Sequence, residues 1–247
     1  MKYVMTYINP SRKLDRERQV FFKVQIDNFY DLGGKKEDIL IFTNFPYKYN
    51  GVQSIEVDDN NYCPFRPNST KTVTIANVFK TGVFKKEEIY WGHDSDAYQQ
   101  FPITDEELGM EEKDFAASTY GWSPKWQLGM YFFKSSSGDI FEALRDTVYE
   151  IHNEDERALV KLTNENYNNI NSRINKLNNT YNFSIRHIVK AYAVADKPLK
   201  VLHFTPGYVD KTMFAESLQM FMYGKNELGI PFMTKRLIKI FKYHGVE

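Results

Sequence analysis

The stretch Glu88-Ile-Tyr-Trp-Gly-His-Asp-Ser-Asp-Ala97 reads as a short apolar strand whose C-terminal end delivers two carboxylates, Asp94 and Asp96, with Ser95 between them. Residues two apart in an extended chain point to the same side. Both carboxylates can therefore face one hard divalent cation, which prefers oxygen ligands and keeps water or a substrate phosphate in its remaining positions. Asp-Ser-Asp is equally ordinary turn chemistry, in which the side chains cap backbone N–H groups. The local sequence leaves both readings open.

The chain before this stretch alternates strand and helix. Tyr3 to Ile8 is an apolar run closed by Asn9-Pro10. Phe22, Ile26, Phe29 and Tyr30 then recur at helical spacing until Gly33-Gly34. Asp38 to Asn44 is a second strand, Val52 to Val57 a third, and a helix is expected over roughly Thr70 to Lys80 behind Pro64 and Pro67. Strand, helix, strand opens an α/β sheet with right-handed crossovers. Ligands of open α/β sheets sit at the carboxyl ends of the strands. Asp94 and Asp96 lie at such an end, as do Thr6, Tyr7 and Asn9 after the first strand.

At 247 residues the chain fits one large α/β domain, and no Gly-, Ser- or Pro-rich linker divides it. Its 32 basic and 32 acidic residues cancel, so any attraction to nucleic acid or to a membrane must come from a local patch. The lone Cys63 excludes an intrachain disulfide framework and an all-cysteine zinc site. The N-terminus lacks the pattern of a signal peptide, and no apolar run is long enough to cross a bilayer, so a soluble, cytoplasmic protein is expected.

Beyond Phe101-Pro102 the acidic segment Asp105 to Asp114 reads as a solvated face. Leu128 to Phe133 is a buried strand, Asp139 to Ile151 an amphipathic helix, and Asn153 to Arg157 opens another, since acidic residues suit a first helical turn. Asp155 and Glu156 have that capping role as their plainest explanation. Lys200 to Phe204 is a late strand carrying His203 and followed by Thr205-Pro-Gly207. With Asp94 and Asp96, His203 makes a two-carboxylate, one-imidazole set, suited to Mn2+ or Mg2+, with manganese the better match to imidazole. The last helix, Thr234 to His244, has Leu237, Ile240 and Phe241 on one face and Lys235, Arg236, Lys239 and Lys242 on the other.

This order of motifs resembles the GT-A-fold glycosyltransferases, in particular the retaining glycogenin-like and bacterial galactosyltransferase type. The resemblance implies a Rossmann-like mixed sheet flanked by helices, with a helical C-terminal part. Residues 1–104 would be the nucleotide-sugar half and 105–247 the acceptor half. It also implies Asp94, Asp96 and His203 as metal ligands, with Ser95 beside the donor, and Thr6, Tyr7 and Asn9 around its base and ribose. Gln127-Leu-Gly129 would lie under the donor sugar, and Asp155-Glu156 beside the reacting carbon. The segment Leu177 to Asn182 is similar to the one that follows this acidic pair in the family. Gly207 and Lys211 stand for the family's late Gly and diphosphate-binding Lys, at spacings one residue longer than the family pattern and without its closing aromatic.

The activity so implied is metal-dependent transfer of a sugar from a nucleoside diphosphate sugar, a UDP-sugar in the first instance, to an acceptor hydroxyl with retention. Two other classes remain open. One is a metal-dependent nucleotidyltransferase, which would want glycines beside Arg12, Lys13 and Arg16. The other is a nucleotide-sugar-binding module without turnover. The basic terminal helix suits a membrane surface bearing lipid-linked glycans or the phosphates of DNA. The chain also resembles phage enzymes that glycosylate hydroxymethylated DNA bases, including arabinosyl transferases. Tyr120, Trp122 and Trp126 are candidates to line an acceptor pocket, and equally candidates for the core.

Overall fold

The computed structural model describes residues 1–121, 123–184, 188–204 and 213–246, the side chains of 213–217 excepted. The first half of the chain supplies β1 (Lys2–Tyr7), α1 (Arg16–Asp31), β2 (Ile39–Thr43), the hairpin strands β3 (Lys48–Tyr49) and β4 (Val52–Gln53), and β5 (Ile55–Glu56). It continues with α2 (Thr70–Phe79), β6 (Ile89–His93) and β7 (Ala97–Gln99). The second half adds β8 (Phe115–Thr119), β9 (Trp126–Lys134), α3 (Gly138–Ile151), α4 (Asp155–Asn164), α5 (Ile170–Arg173) and β10 (Ile174–Leu177). Then come β11 (Phe183–Ser184), α6 (Ile188–Val194), β12 (Val201–His203), α7 (Met213–Tyr223) and α8 (Lys235–Tyr243).

Seven strands form one mixed sheet in the order β10-β8-β9-β6-β1-β2-β5. β6, β1, β2 and β5 run parallel, and β9 runs antiparallel to its neighbours β6 and β8. Strands from both halves of the chain thus share one ladder. Side chains alternate across it as the pleat requires. Tyr3, Met5, Ile41, Trp91 and Phe132 face the layer that α1 covers with Phe22, Ile26 and Phe29. Val4, Phe42, Tyr90, Tyr131 and Phe133 face the layer filled from α2, α3 and α4 by Val73, Phe141, Leu144 and Leu159. A separate three-stranded sheet, β11-β12-β7, carries a third apolar cluster with α6, α7 and α8, in which Phe183, Leu202, Phe221 and Phe241 are buried.

Local chemistry sets the boundaries. Asp15 caps α1 by accepting from the Arg18 N–H at 2.7 Å, and Gly33, with φ +90°, turns the chain out of it. Thr234 caps α8 by accepting from the Leu237 N–H. The strand expected over Val52 to Val57 is broken. Asn50 and Gly51, both with positive φ, make a tight hairpin turn that pairs β4 with β3, and only β5 beyond Ser54 joins β2. Cys63 is buried and unpaired. Among the described residues no helix is long and apolar enough to cross a membrane.

Phe133 is fully buried, with the rings of Phe84, Tyr90 and Phe141 centred 5.0–5.3 Å from its own. Phe133→Ala is expected to cost about 3–5 kcal/mol, the usual range for emptying an aromatic core position. Chemical denaturation at constant m-value checks it.

Candidate active site

The carboxyl ends of β1 and β6 open onto a cleft of about 520 Å³. β6 reaches it because the Asp94 N–H still pairs with the Gly129 carbonyl of β9 at 2.8 Å. The chain then turns, with the Ala97 N–H donating to the Asp94 carbonyl at 3.1 Å, and leaves as β7. Asp-Ser-Asp is therefore both a turn and a pair of carboxylates in the cleft. The turn is closed by a main-chain hydrogen bond, and both carboxylates line the cleft.

β12 lies antiparallel to β7, with His203 opposite Ala97. The Phe204 N–H closes the pairing on the Asp96 carbonyl at 2.9 Å. His203 Nε2 accordingly sits 3.6 Å from both Asp94 Oδ2 and Asp96 Oδ1. One ligand atom from each of the three lies within 4.8 Å of the others. The other ring nitrogen, Nδ1, is 3.0 Å from Asn182 Oδ1. Two carboxylate oxygens and an imidazole nitrogen converging from one side, the far side of the ring being engaged, form a donor set that fits a divalent cation of the Mn2+ or Mg2+ kind.

Gly129 makes room for the ring. A Cβ there would lie 1.9 Å from His203 Cε1, so no larger residue fits without moving the imidazole. The charges are arranged around Asp94. Burial alone would raise its pKa, but Lys71 and His203 hold it down at about 2. Burial alone would lower that of His203, but Asp96 and Asp94 raise it to about 9. Lys71 donates from Nζ to Asp94 Oδ1 at 2.7 Å and stays charged against its burial through Asp94 and Asp155. The neighbouring His93 is different. Burial pushes its pKa down to about 4, and its ring stacks on Trp91 inside the core.

Asp155 and Glu156 open α4 on the opposite wall and divide their work. Asp155 is buried. It accepts from Thr72 Oγ1 at 2.7 Å and from the Glu156 N–H, while its own N–H donates to Ser69 Oγ. It latches α4 to the start of α2. Glu156 accepts from the Leu128 N–H at 3.1 Å and from the Tyr120 hydroxyl. Burial, then the neighbouring Asp155, lifts its pKa to about 7.

At the β1 end, Thr6, Tyr7 and Asn9 all line the cleft. The Thr6 hydroxyl is buried with no hydrogen-bond partner. Asn9 is mostly committed to its own loop: it donates to the Tyr7 hydroxyl and the Lys13 carbonyl, and its Oδ1 accepts from Ser11. Ser95, Gln127 and Tyr120 also line the cleft, whereas Trp126 packs against the core and donates to Thr163 Oγ1. Gly207, Lys211 and Trp122 lie outside the described residues. Lys71, Arg18 and Tyr62 are cleft residues that the sequence reading passed over. Lys71 had a signal, as the only charged residue in the otherwise apolar and neutral α2.

No protein-family model and no curated protein matches the chain. Solved structures do. The galactosyltransferase LgtC, in a complex with donor and acceptor sugar analogs, superposes at a TM-score of 0.59 with 11% identity, over 98% of this chain and 96% of that one. The glycosyltransferase GlyE of Streptococcus pneumoniae gives 0.58 with 15% identity, over 100% of this chain and 60% of that one. A glycosyltransferase involved in glycosylation of the major capsid of PBCV-1 gives 0.54 with 11% identity, over 88% and 97%. The fold is that of the GT-A glycosyltransferases. Within it, the metal-competent triad occupies the carboxyl edge of the sheet, the edge expected from the strand order.

The raised pKa of Glu156 makes a stability prediction. Its ordinary value is 4.5 and its folded value about 7, so between those limits the folded state binds more protons than the unfolded. Stability from this group therefore falls as pH rises through that window and is lowest above it. Glu156→Gln should melt several degrees above the parent at pH 8, on the order of 2 kcal/mol, with the gap closing below pH 5. Paired thermal melts across that range test it.

Proposed function

We propose that the protein is a metal-dependent glycosyltransferase that moves a sugar from a nucleoside diphosphate sugar, in the first instance a UDP-sugar, to an acceptor hydroxyl with retention. The observation that carries this reading is the meeting of Asp94 and Asp96, from the β6–β7 turn, with His203, from the end of β12, within 4.8 Å in a cleft of about 520 Å³. A Mn2+ or Mg2+ ion held by these three would supply the Lewis acid that offsets charge developing on the leaving diphosphate.

The chain's own groups have separable tasks. Lys71 holds Asp94 in place through Oδ1, leaving Oδ2 turned toward His203. Thr6, Tyr7 and Asn9, which line the cleft at the end of β1, would hold the base and ribose. Glu156 stands beside the reacting carbon, its carboxyl fixed by the Leu128 N–H and Tyr120. There it stabilises positive charge developing on the sugar or orients the acceptor. With retention, the acceptor oxygen attacks on the face that the phosphate leaves, as the family resemblance implies. A nucleotidyltransferase would need a glycine-rich phosphate loop after β1, and Asn9 to Leu14 contains no glycine.

The experiment is incubation with UDP-sugars and Mn2+. Sugar-dependent release of UDP supports the proposal, release of pyrophosphate from a nucleoside triphosphate supports the nucleotidyltransferase, and silence supports a binding module. Asp96→Ala should lower UDP release at least about 100-fold while leaving the fold intact, the scale of losing one electrostatic stabiliser. Full turnover in that variant, or turnover surviving excess chelator, would contradict the assignment.

For the acceptor we propose a hydroxyl on an anionic carrier, either a hydroxymethylated DNA base or a lipid-linked glycan. The support is the exposed row Lys235, Lys239 and Lys242 on α8, beside the exposed ring of Tyr243. Salt-sensitive binding is expected to one of two probes, duplex DNA in a gel shift or anionic vesicles in sedimentation. Binding to neither removes the anionic carrier.

A further inference from the structure

Asn182 is wholly buried, and its Oδ1 lies 3.0 Å from Nδ1 at the back of the His203 ring. It follows the short turn Asn179–Tyr181 and precedes β11, which runs parallel to β12 with Ser184 opposite His203. Phe183, next to it, is locked among Phe221, Phe232 and Tyr192. The backbone at position 182 is thus held by the third core cluster, and the amide is presented from a rigid base.

The direction of that amide follows from its second contact. Asn182 Nδ2 donates to the Gln127 main-chain carbonyl at 3.4 Å, an atom that can only accept. Oδ1 must then face His203 Nδ1, and an amide oxygen can only accept, so Nδ1 carries the hydrogen. Nε2 is then the nitrogen that faces the two aspartates and that would ligate once a cation displaces its proton. Gly129, against the ring, removes the other obstacle to this orientation.

We infer that Asn182 is a positioning residue for the metal centre: through Gln127, Asn182 and His203 the β9 backbone sets the tautomer and angle of the imidazole ligand. The inference rests on the metal reading of the cleft, and it assigns Asn182 no contact with ion, donor or acceptor. Its effect on metal binding is transmitted wholly by His203. Partners behind a ligating imidazole typically alter metal affinity about 10–100-fold.

Mn2+ affinity in the absence of donor, measured by electron paramagnetic resonance or calorimetry, tests this apart from turnover. Asn182→Ala should bind Mn2+ about 10–100-fold more weakly, and Mg2+, which depends less on imidazole, should lose less. Asn182→Asp keeps an acceptor against Nδ1 but loses the donor to the Gln127 carbonyl, and should recover the Mn2+ affinity only in part. The double variant Asn182→Ala/His203→Ala should bind no more weakly than His203→Ala alone, since residues acting through one another are not additive. Circular dichroism and thermal melts on each variant exclude unfolding as the cause. Additive losses, or an Asn182→Ala variant with parental affinity beside a weakened His203→Ala, overturn the inference and leave the metal site standing. A parent protein that binds no Mn2+ overturns the metal reading itself, and the inference falls with it.

Discussion

The antiparallel pairing of β7 with β12, ending in the 2.9 Å bond from the Phe204 N–H to the Asp96 carbonyl, is the constraint on which the site depends. β6 alone yields only two acids at a strand end. The imidazole arrives from the far end of the chain, and its register is fixed by backbone hydrogen bonds rather than by the attraction of charges. A slip of one residue would turn His203 to the opposite face of β12 and replace it with a hydrophobic neighbour, Leu202 or Phe204. Those two residues belong to the third apolar cluster, which therefore specifies the register from the other side. The helical C-terminal part thus contributes to the site by burying the back of β12.

Concentrating Asp94, Asp96, Asp155 and Glu156 around one cleft has an electrostatic cost, and the protein offsets it unevenly. Lys71 is placed at the centre of the cluster, 2.7 Å from Asp94 and close enough to feel Asp155 and Glu156 as well. It keeps Asp94 ionised at ordinary pH. It does not suffice for Glu156, whose carboxyl is pushed toward neutrality by burial and by Asp155. A carboxyl perturbed by burial and a like charge inside a cleft marks a candidate functional group.

The sequence showed the sheet more readily than the site. The apolar runs Tyr3 to Ile8 and Leu128 to Phe133, and the helical spacing of Phe22, Ile26 and Phe29, are written directly into local pattern. The structure has strands and a helix there. Val52 to Val57 misled because the Asn50-Gly51 hairpin signal before it was passed over, and that turn folds its first part back on β3. Asp94, Asp96 and His203 were recoverable as chemistry because strand-terminal acids and a late histidine are unusual residues in apolar surroundings. Their convergence was expected from the chemistry of the set and the order of motifs, but the pairing that brings it about was not legible, since β7 and β12 are short and their partnership is long-range. Lys71 and Asn182 were missed as site residues for a related reason: the lone charge of α2 and the segment ending at Asn182 were visible locally, but the neighbours they act on are distant in sequence.

The paired acids at the start of α4 show why residue type alone could not divide labour between them. Both satisfy the preference of a helix N-terminus for negative charge, the plain explanation available from sequence. In the fold, successive residues of a helix point about 100° apart, so only one of the two can address any given wall. Asp155 points inward to Thr72 and ties α4 to α2. Glu156 points along the cleft to Tyr120 and the Leu128 N–H, the residue beside Gly129. The latch through Asp155 therefore fixes where Glu156 stands relative to β9, and β9 in turn backs His203 through Gly129. The start of α4 and the ring of His203 are referred to the same strand, which gives the cleft one frame spanning both elements.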